Sequence, residues 1–168
     1  MILPLFFMIF MAIFWFGQAF RAYGTLAAGT RAGAEAAVAP VCTTCAAGTS
    51  VATNAQTAVQ NALQSAHLDI NQLVPTSSWT RPNLCACLLN NSTSSCTSTP
   101  VACDSSVTNV CVQENVQLSY PVKGGMGTCG ISVSARYQYA YHFPIPFTNL
   151  DLGNMLLPGQ AQMRAETQ

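Results

Sequence analysis

The chain has 168 residues, six basic and six acidic, and only 7% of its side chains are charged. Soluble domains usually carry about 25% charged residues, so this surface suits packing against other protein. The composition excludes a basic nucleic-acid interface and an acidic cation-binding tract. About 130 residues follow the first apolar stretch, enough for one domain with a modest core.

Residues 1–20 contain no charged side chain. As a helix this stretch is about 30 Å long, the thickness of the hydrocarbon core of a bilayer. A cleaved signal peptide, the alternative, needs a basic start, a shorter apolar stretch and a nearby cleavage site. The nearest candidate cleavage site, Ala37-Val38-Ala39, is too far downstream. We therefore predict a retained transmembrane segment over 1–20.

Residues 21–39 are rich in Ala and free of Pro until Pro40, which predicts an extramembrane continuation of the same helix, about 35 residues in all. Within it, Gly29, Gly33 and Ala37 recur every four residues, a spacing that permits close helix packing. This face is expected to receive either the protein's own sheet or a neighbouring subunit.

A second helix is predicted from Val51 to about Leu68, with Ser50 as its N-cap. Its apolar side chains lie on one narrow stripe and its opposite side is rich in Asn, Gln and Thr. His67 falls near the C-terminus of the helix and is interpreted as a surface or capping residue, not a metal ligand.

All the cysteines follow the apolar segment, and their number is even. This pattern in a small domain favours a set of disulfides in an oxidising compartment over a zinc site or a redox pair. The pairing is not deducible, because eight cysteines allow 105 connectivities. The disulfide candidates are Cys42, Cys45, Cys85, Cys87, Cys96, Cys103, Cys111 and Cys129.

Residues 75–109 have loop composition and contain four of these cysteines, which would keep so long a loop ordered. After residue 109, apolar and polar residues alternate with a period of two. This alternation predicts three antiparallel strands near 110–120, 131–143 and 160–166. Lys123-Gly124-Gly125, Pro144-Ile145-Pro146 and Pro158-Gly159 are assigned to the linkers. Val133, Tyr137 and Tyr139 are predicted to face the N-terminal helix, and Ser134, Arg136 and Gln138 to face outward.

The predicted fold class is therefore α+β. A long N-terminal transmembrane helix continues into a small domain that has a second helix, a three-stranded antiparallel meander and a cysteine-rich loop. The expected divisions are 1–20 for the membrane segment, 21–39 for the helix continuation and 40–168 for the domain, with the loop at 75–109.

This plan resembles type IV pilins and pseudopilins, and most closely the TadE-like minor pseudopilins of the tight-adherence (Flp) pilus. The stretch that carries the resemblance is LPLFFMIFMAIFWFGQAFRAYGTLAAGTRAGAEAAV, an apolar run followed by an Ala/Gly-rich helix. The second helix and the strand GQAQMRAE are also similar to that family, whereas the cysteine-rich loop is not. Members of the family have a basic leader ending in Gly and a glutamate early in the mature helix. The opening Met1-Ile2-Leu3-Pro4 lacks both, so no processing residue is assigned.

The resemblance implies a structural or assembly component of such a pilus, or of a related secretion apparatus. Its expected partners are the inner membrane and other pilin, pseudopilin and assembly proteins, with incorporation into a surface pilus as one destination. It implies a single-pass protein of the bacterial inner membrane with a periplasmic C-terminal domain. Arg21 and Arg31 alone would place the domain in the cytoplasm, but the cysteines favour the periplasm.

No enzymatic activity is expected, because the sequence has no GxSxG, HExxH, phosphate-loop or dinucleotide-binding pattern and its acidic residues are scattered. Neither a cofactor or metal nor a nucleic-acid or small-molecule partner is expected. The alternative function is a membrane-anchored extracytoplasmic binding or adhesin domain that uses the cysteine-rich loop as its recognition surface.

Overall fold

The computed structural model describes residues 3–38, 50–87, 100–119, 128–145 and 148–164. Helices α1 (Leu3–Val38) and α2 (Val51–Ser65) precede strands β1 (Val110–Ser119), β2 (Thr128–Ile145) and β3 (Thr148–Arg164). The strands form one antiparallel sheet in the order β1-β2-β3. The predicted α+β class, with two helices, a meander and disulfides in the loops, is confirmed.

Helix α1 is continuous over 36 residues, as its composition predicts. Helix α2 begins where Ser50 accepts a hydrogen bond from the Thr53 backbone N–H at 3.2 Å. It ends in a Schellman motif, in which Leu68 N–H donates to the Leu63 carbonyl and His67 N–H to the Gln64 carbonyl. His67 occupies the left-handed position of this motif, with φ of 59°, and its side chain is exposed.

One face of the sheet packs against both helices and forms the core. Val112 stands opposite Val133, and Val133 stands opposite Ala161 on β3. These residues are buried in one cluster with Leu26 of α1 and Val59 of α2. Tyr137 is buried in the same cluster, and Tyr139 is partly buried against it, so the predicted helix-facing side of β2 is confirmed.

The other face of the sheet is also buried, which the sequence analysis did not predict. Ser132, Ser134, Cys111 and Gln113 are each less than 5% exposed. The Gln113 amide donates hydrogen bonds to the Pro82 and Val101 carbonyls, at 3.0 and 2.6 Å. The described parts of the cysteine-rich loop therefore form a third layer over this face. The prediction that Ser134 faces outward is wrong, because this layer covers it.

The β2–β3 hairpin is longer than predicted, because β3 begins at Thr148 and not near residue 160. Pro158 and Gly159 lie inside β3, opposite Arg136 and Ala135, so their assignment to a linker is wrong. β3 is an edge strand, where a proline without a backbone N–H is tolerated. The Lys123-Gly124-Gly125 linker lies outside the described residues.

Candidate functional site

The two halves of α1 have different surroundings. The first half exposes large apolar side chains, and only 6% of the residues in the most apolar 18-residue stretch of the helix are buried within the protein. By length and composition α1 is able to cross a membrane. The large apolar side chains exposed on this half are Phe6, Phe7, Met8, Ile9, Phe10, Ile13, Phe14, Phe16 and Phe20.

The second half of α1 is covered by the domain, and its small residues are the points of closest approach to α2. A Cβ added at Gly33 would lie 2.7 Å from Val59 Cγ2 and 3.1 Å from the Ala55 carbonyl oxygen. A Cβ at Gly29 would lie 3.4 Å from the Cβ of Ala62. Ala37, one turn further on, is buried in the core cluster. The Gly29, Gly33 and Ala37 face thus contacts the protein's own second helix, not only its sheet.

A third glycine, Gly159 of β3, lets the sheet approach α1. A Cβ there would lie 2.8 Å from Leu26 Cγ and 3.1 Å from Thr30 Cγ2. Sequence analysis missed this role, because Pro158-Gly159 resembles a turn. The available signal was that Gly159 is small and lies on the same side of the strand as Ala161 and Met163.

Two other glycines of α1, Gly17 and Gly24, have nothing within 4 Å of an added Cβ. Exposed Ala28 follows one turn after Gly24. An added side chain at Gly17 or Gly24 would therefore have open space around it, unlike one at Gly29 or Gly33.

A groove of about 580 Å³ lies where the domain meets the first half of α1. Its walls come from α1, the C-terminal turn of α2 and β2. They include Ile13, Gly17 and Arg21 on α1, His67 after α2, and Tyr139 on β2. The end of the domain that carries His67 and Tyr139 thus lies beside the part of α1 where the apolar stretch gives way to polar residues.

The described cysteines join the loop layer to the sheet. Cys87 is bonded to Cys129 of β2, and Cys103 to Cys111 of β1. Cys85 is also disulfide-bonded. Backbone hydrogen bonds reinforce the junction, because Cys87 N–H donates to Asn115 and Gln117 N–H donates to Cys85. The predicted disulfide candidates Cys42, Cys45 and Cys96 lie outside the described residues.

The loop layer carries a groove of about 660 Å³ on its outer side. Trp79 forms one wall, and the Arg136 guanidinium lies 4.7 Å from its ring centroid. The Trp79 indole N–H donates to the Val74 carbonyl at 3.3 Å, which fixes the ring. Arg81 and Asn83 line the same groove and are exposed.

Two of the described titratable groups have shifted pKa values. Burial raises the pKa of Tyr137, and a backbone hydrogen bond from Asp69 partly opposes this. Hydrogen bonds from Ser106 lower the pKa of Asp104, and the bond from the Ser106 backbone N–H has the largest effect. Asp104 lies at the start of the turn that the Cys103–Cys111 bond closes. Within the described ranges no three His, Cys, Asp or Glu residues are grouped to hold a metal ion.

Comparison with known families gives a match at the N-terminus. Residues 1–35 match the family of TadE-like proteins. The match ends three residues before the end of α1 at Val38 and includes neither α2 nor the sheet. No curated protein and no solved structure matches the chain.

The match supports the resemblance predicted from the same stretch, and the N-terminal helix is TadE-like. Over residues 1–35 the chain is thus similar to TadE-like proteins, and this similarity points to a component associated with the tight-adherence pilus.

Proposed function

We propose that this protein is a membrane-anchored, pseudopilin-like structural or assembly component of a tight-adherence (type IV-like) pilus or a related secretion apparatus. The observation that carries the proposal is the division of α1. The stretch matching the TadE-like family begins with a half that exposes large apolar side chains and continues into a half that binds the domain.

The proposed organisation follows from this division. Residues 1–20 cross the inner membrane once, 21–39 continue the helix outside it, and 40–168 form the α+β domain with its loop at 75–109. The disulfides of the loop layer favour a periplasmic domain, because such bonds persist in oxidising compartments.

The proposed partners are the inner membrane, other pilin or pseudopilin subunits and pilus assembly proteins. The exposed small residues Gly24 and Ala28 of α1 support this, because small residues allow a second helix to approach closely. The Gly29–Gly33 side is already occupied by α2. We propose no catalytic activity, cofactor or small-molecule substrate for this assembly role.

The second candidate function is an anchored adhesin, and the outer groove of the loop layer is the observation that favours it. Trp79 is held by two contacts beside exposed Arg81 and Asn83. Excising the loop cannot separate the two functions, because the loop also covers one face of the sheet. Surface substitutions within the groove are the appropriate test.

The test compares three strains of the bacterium that carries the gene: wild type, a deletion, and the double variant Arg81→Ala, Asn83→Ala. We expect the deletion to lose surface pili and the groove variant to keep them, with normal protein level. Pili are counted by electron microscopy, and association with pilin is measured by co-purification from membranes. The adhesin function would be favoured if the deletion strain had normal pili and if both the deletion and the groove variant lost surface attachment of the cells.

A further inference from the structure

The loop layer occupies the outer edge of β1. The Val112 carbonyl accepts a hydrogen bond from the Asp104 backbone N–H at 2.9 Å. Further along the same edge, the backbone groups of Cys85 and Cys87 bond to the strand at 2.9 and 2.7 Å. One edge of the sheet is therefore covered by the protein's own chain.

The opposite edge, formed by β3, has no such cover in the described part of the chain. No backbone hydrogen bond from a further strand or loop reaches it there. The residues 159–163 carry no charge, and Pro158 and Arg164 flank them. Proteins usually protect an edge with a charge, a proline or a covering segment, so residues 159–163 form an open stretch between two protected ends.

The register shows which backbone groups of β3 point outward. On the side of β2 opposite to β3, the Arg136 carbonyl accepts a bond from the Val74 N–H at 2.9 Å. Arg136 therefore directs its backbone groups away from β3, and its partner Pro158 directs its own towards the outer edge. Because this direction alternates along a strand, Gln160 and Gln162 also present their N–H and C=O groups outward.

The outward groups of Gln160 and Gln162 are suited to pair with a further strand. In strand addition the main-chain hydrogen bonds supply affinity and alternate side chains supply specificity. The row of β3 that faces α1 contains the small residues Gly159 and Ala161, both buried, whereas the side chains of Gln160 and Gln162 are exposed. The matching strand is thus extended and uncharged, with apolar residues on the α1 side and hydrogen-bonding residues on the other.

A second copy of this chain fits the edge poorly. β2 contacts α1 near Gly33 through Val133, and Tyr139 lines the groove with Gly17, so β2 runs antiparallel to α1 and β3 runs parallel to it. Copies anchored in one membrane have parallel α1 helices, which excludes antiparallel pairing of their β3 edges. The β1 edge of each copy is already covered.

We propose that the outer edge of β3 at residues 159–163 binds an extended, uncharged segment of a different subunit by β-strand addition. The proposal rests on the assembly role and the α1 anchor proposed above, and it names how a partner is held. The partner strand extends the sheet on the side away from the loop layer, so the two outer surfaces of the domain remain independent.

The first part of the test examines the edge in the purified full chain in detergent. Gln162→Pro removes an outward N–H, whereas Ala161→Pro removes an N–H that bonds to β2. We expect the unfolding temperature to stay close to wild type for Gln162→Pro and to fall clearly for Ala161→Pro, because only the second change breaks the ladder. An equal fall in both variants would overturn the assignment of the outward groups.

The second part uses the full chain in the bacterium that carries the gene. The photo-crosslinking residue p-benzoylphenylalanine replaces Gln160, Gln162 or Arg164, with Thr57 on exposed α2 as the control position. Mass spectrometry maps the crosslinked residues. We expect the three β3 positions to reach residues of one partner protein that succeed each other by two in a single direction, and Thr57 to reach none of them.

Two edge variants show whether these crosslinks depend on strand pairing. Gln162→Pro removes one edge donor, and Gln162→Lys places a charge on the edge. Each should lower the crosslinking yield from position 160 roughly ten-fold, at unchanged protein level. Yields unchanged in both variants, or crosslinks scattered over the partner without a two-residue step, would overturn strand addition.

The remaining outcomes concern the partner and the assembly role. Crosslinks to a second copy of this chain would overturn the choice of partner, and no crosslinks from β3 in piliated cells would overturn the edge as a binding site. The deletion strain keeps these results apart from the assembly role. If pili require the gene, that role stands even when the edge proposal fails; if pili persist in the deletion, the assembly role fails even when a partner strand is mapped.

Discussion

The two faces of the sheet are covered by different kinds of structure. The helix side is an apolar core in which α1 and α2 pack against Val112, Val133 and Ala161. The loop side is polar and covalently fixed, with the Gln113 hydrogen bonds and two described disulfides. The helix-side cover is continuous with the proposed membrane anchor, so folding and anchoring share one element. The loop side is free to vary on its outer surface without touching that element.

The largest expected effect is on the helix side. Tyr137→Ala should destabilise the domain by about 3–5 kcal/mol, the usual cost of removing a buried aromatic ring. Tyr139→Ala should cost less, because Tyr139 is only partly buried. Urea unfolding of both variants measures the difference. Equal losses would show that the groove around Tyr139 is closed in solution, contrary to the structure.

The loop side is tested by removing its disulfides one at a time. The chain-entropy relation gives a loss of about 4 kcal/mol for Cys87→Ala, Cys129→Ala and about 2.5 kcal/mol for Cys103→Ala, Cys111→Ala. The difference arises because the two bonds close segments of 42 and 8 residues. Thermal unfolding of the two double variants gives the ranking. The reverse ranking would mean that the loop layer is held mainly through the Cys103–Cys111 turn.

The glycines of α1 provide a matched pair. Gly33→Leu places a side chain against Val59 and the Ala55 carbonyl, and should destabilise the domain by about 3 kcal/mol, the upper end for overpacking. Gly24→Leu, with open space around it, should not destabilise it. Stability and co-purification with pilins should fall together for Gly33→Leu, whereas only co-purification should fall for Gly24→Leu. A stable Gly33→Leu variant that fails only in assembly would move the partner interface to the Gly29–Gly33 side.

The smallest expected effect is at the end of α2. His67 adopts a left-handed conformation that glycine adopts without steric cost, so His67→Gly should stabilise the domain by about 0.5–1 kcal/mol. The gain is measurable as a shift of the urea midpoint at unchanged slope. A loss of stability would show that the His67 side chain contributes a contact that outweighs the backbone strain.

The helix side of the fold was predictable, because its signals are periodic. The length of α1, the Ser50 cap and the side of β2 that carries Val133 and Tyr137 all follow from local pattern and composition. The lengthened β3 was not predictable, since Pro158-Gly159 has the composition of a turn and only an edge position makes it acceptable in a strand.

The loop layer was not predictable either, for a different physical reason. Ser132, Ser134 and Gln113 are polar residues with the alternation of a solvent-facing side. The layer that covers them is held by the non-local hydrogen bonds of Gln113 and by disulfides whose pairing no spacing rule determines. At the candidate site, the small-residue face of α1 was recognisable from its spacing. The sequence analysis expected the protein's own sheet or a neighbouring subunit on this face, and the contact of Gly29 and Gly33 with α2 followed only from the three-dimensional arrangement.

The central claim is that α1 anchors the protein in the inner membrane with the domain on the periplasmic side. The most direct measurement combines alkaline carbonate extraction with protease treatment of spheroplasts from cells that express the full chain. The account predicts that the protein stays in the carbonate-washed membrane and that protease added outside degrades the domain in intact spheroplasts. Release into the carbonate supernatant, or a domain digested only after the spheroplasts are lysed, would contradict it.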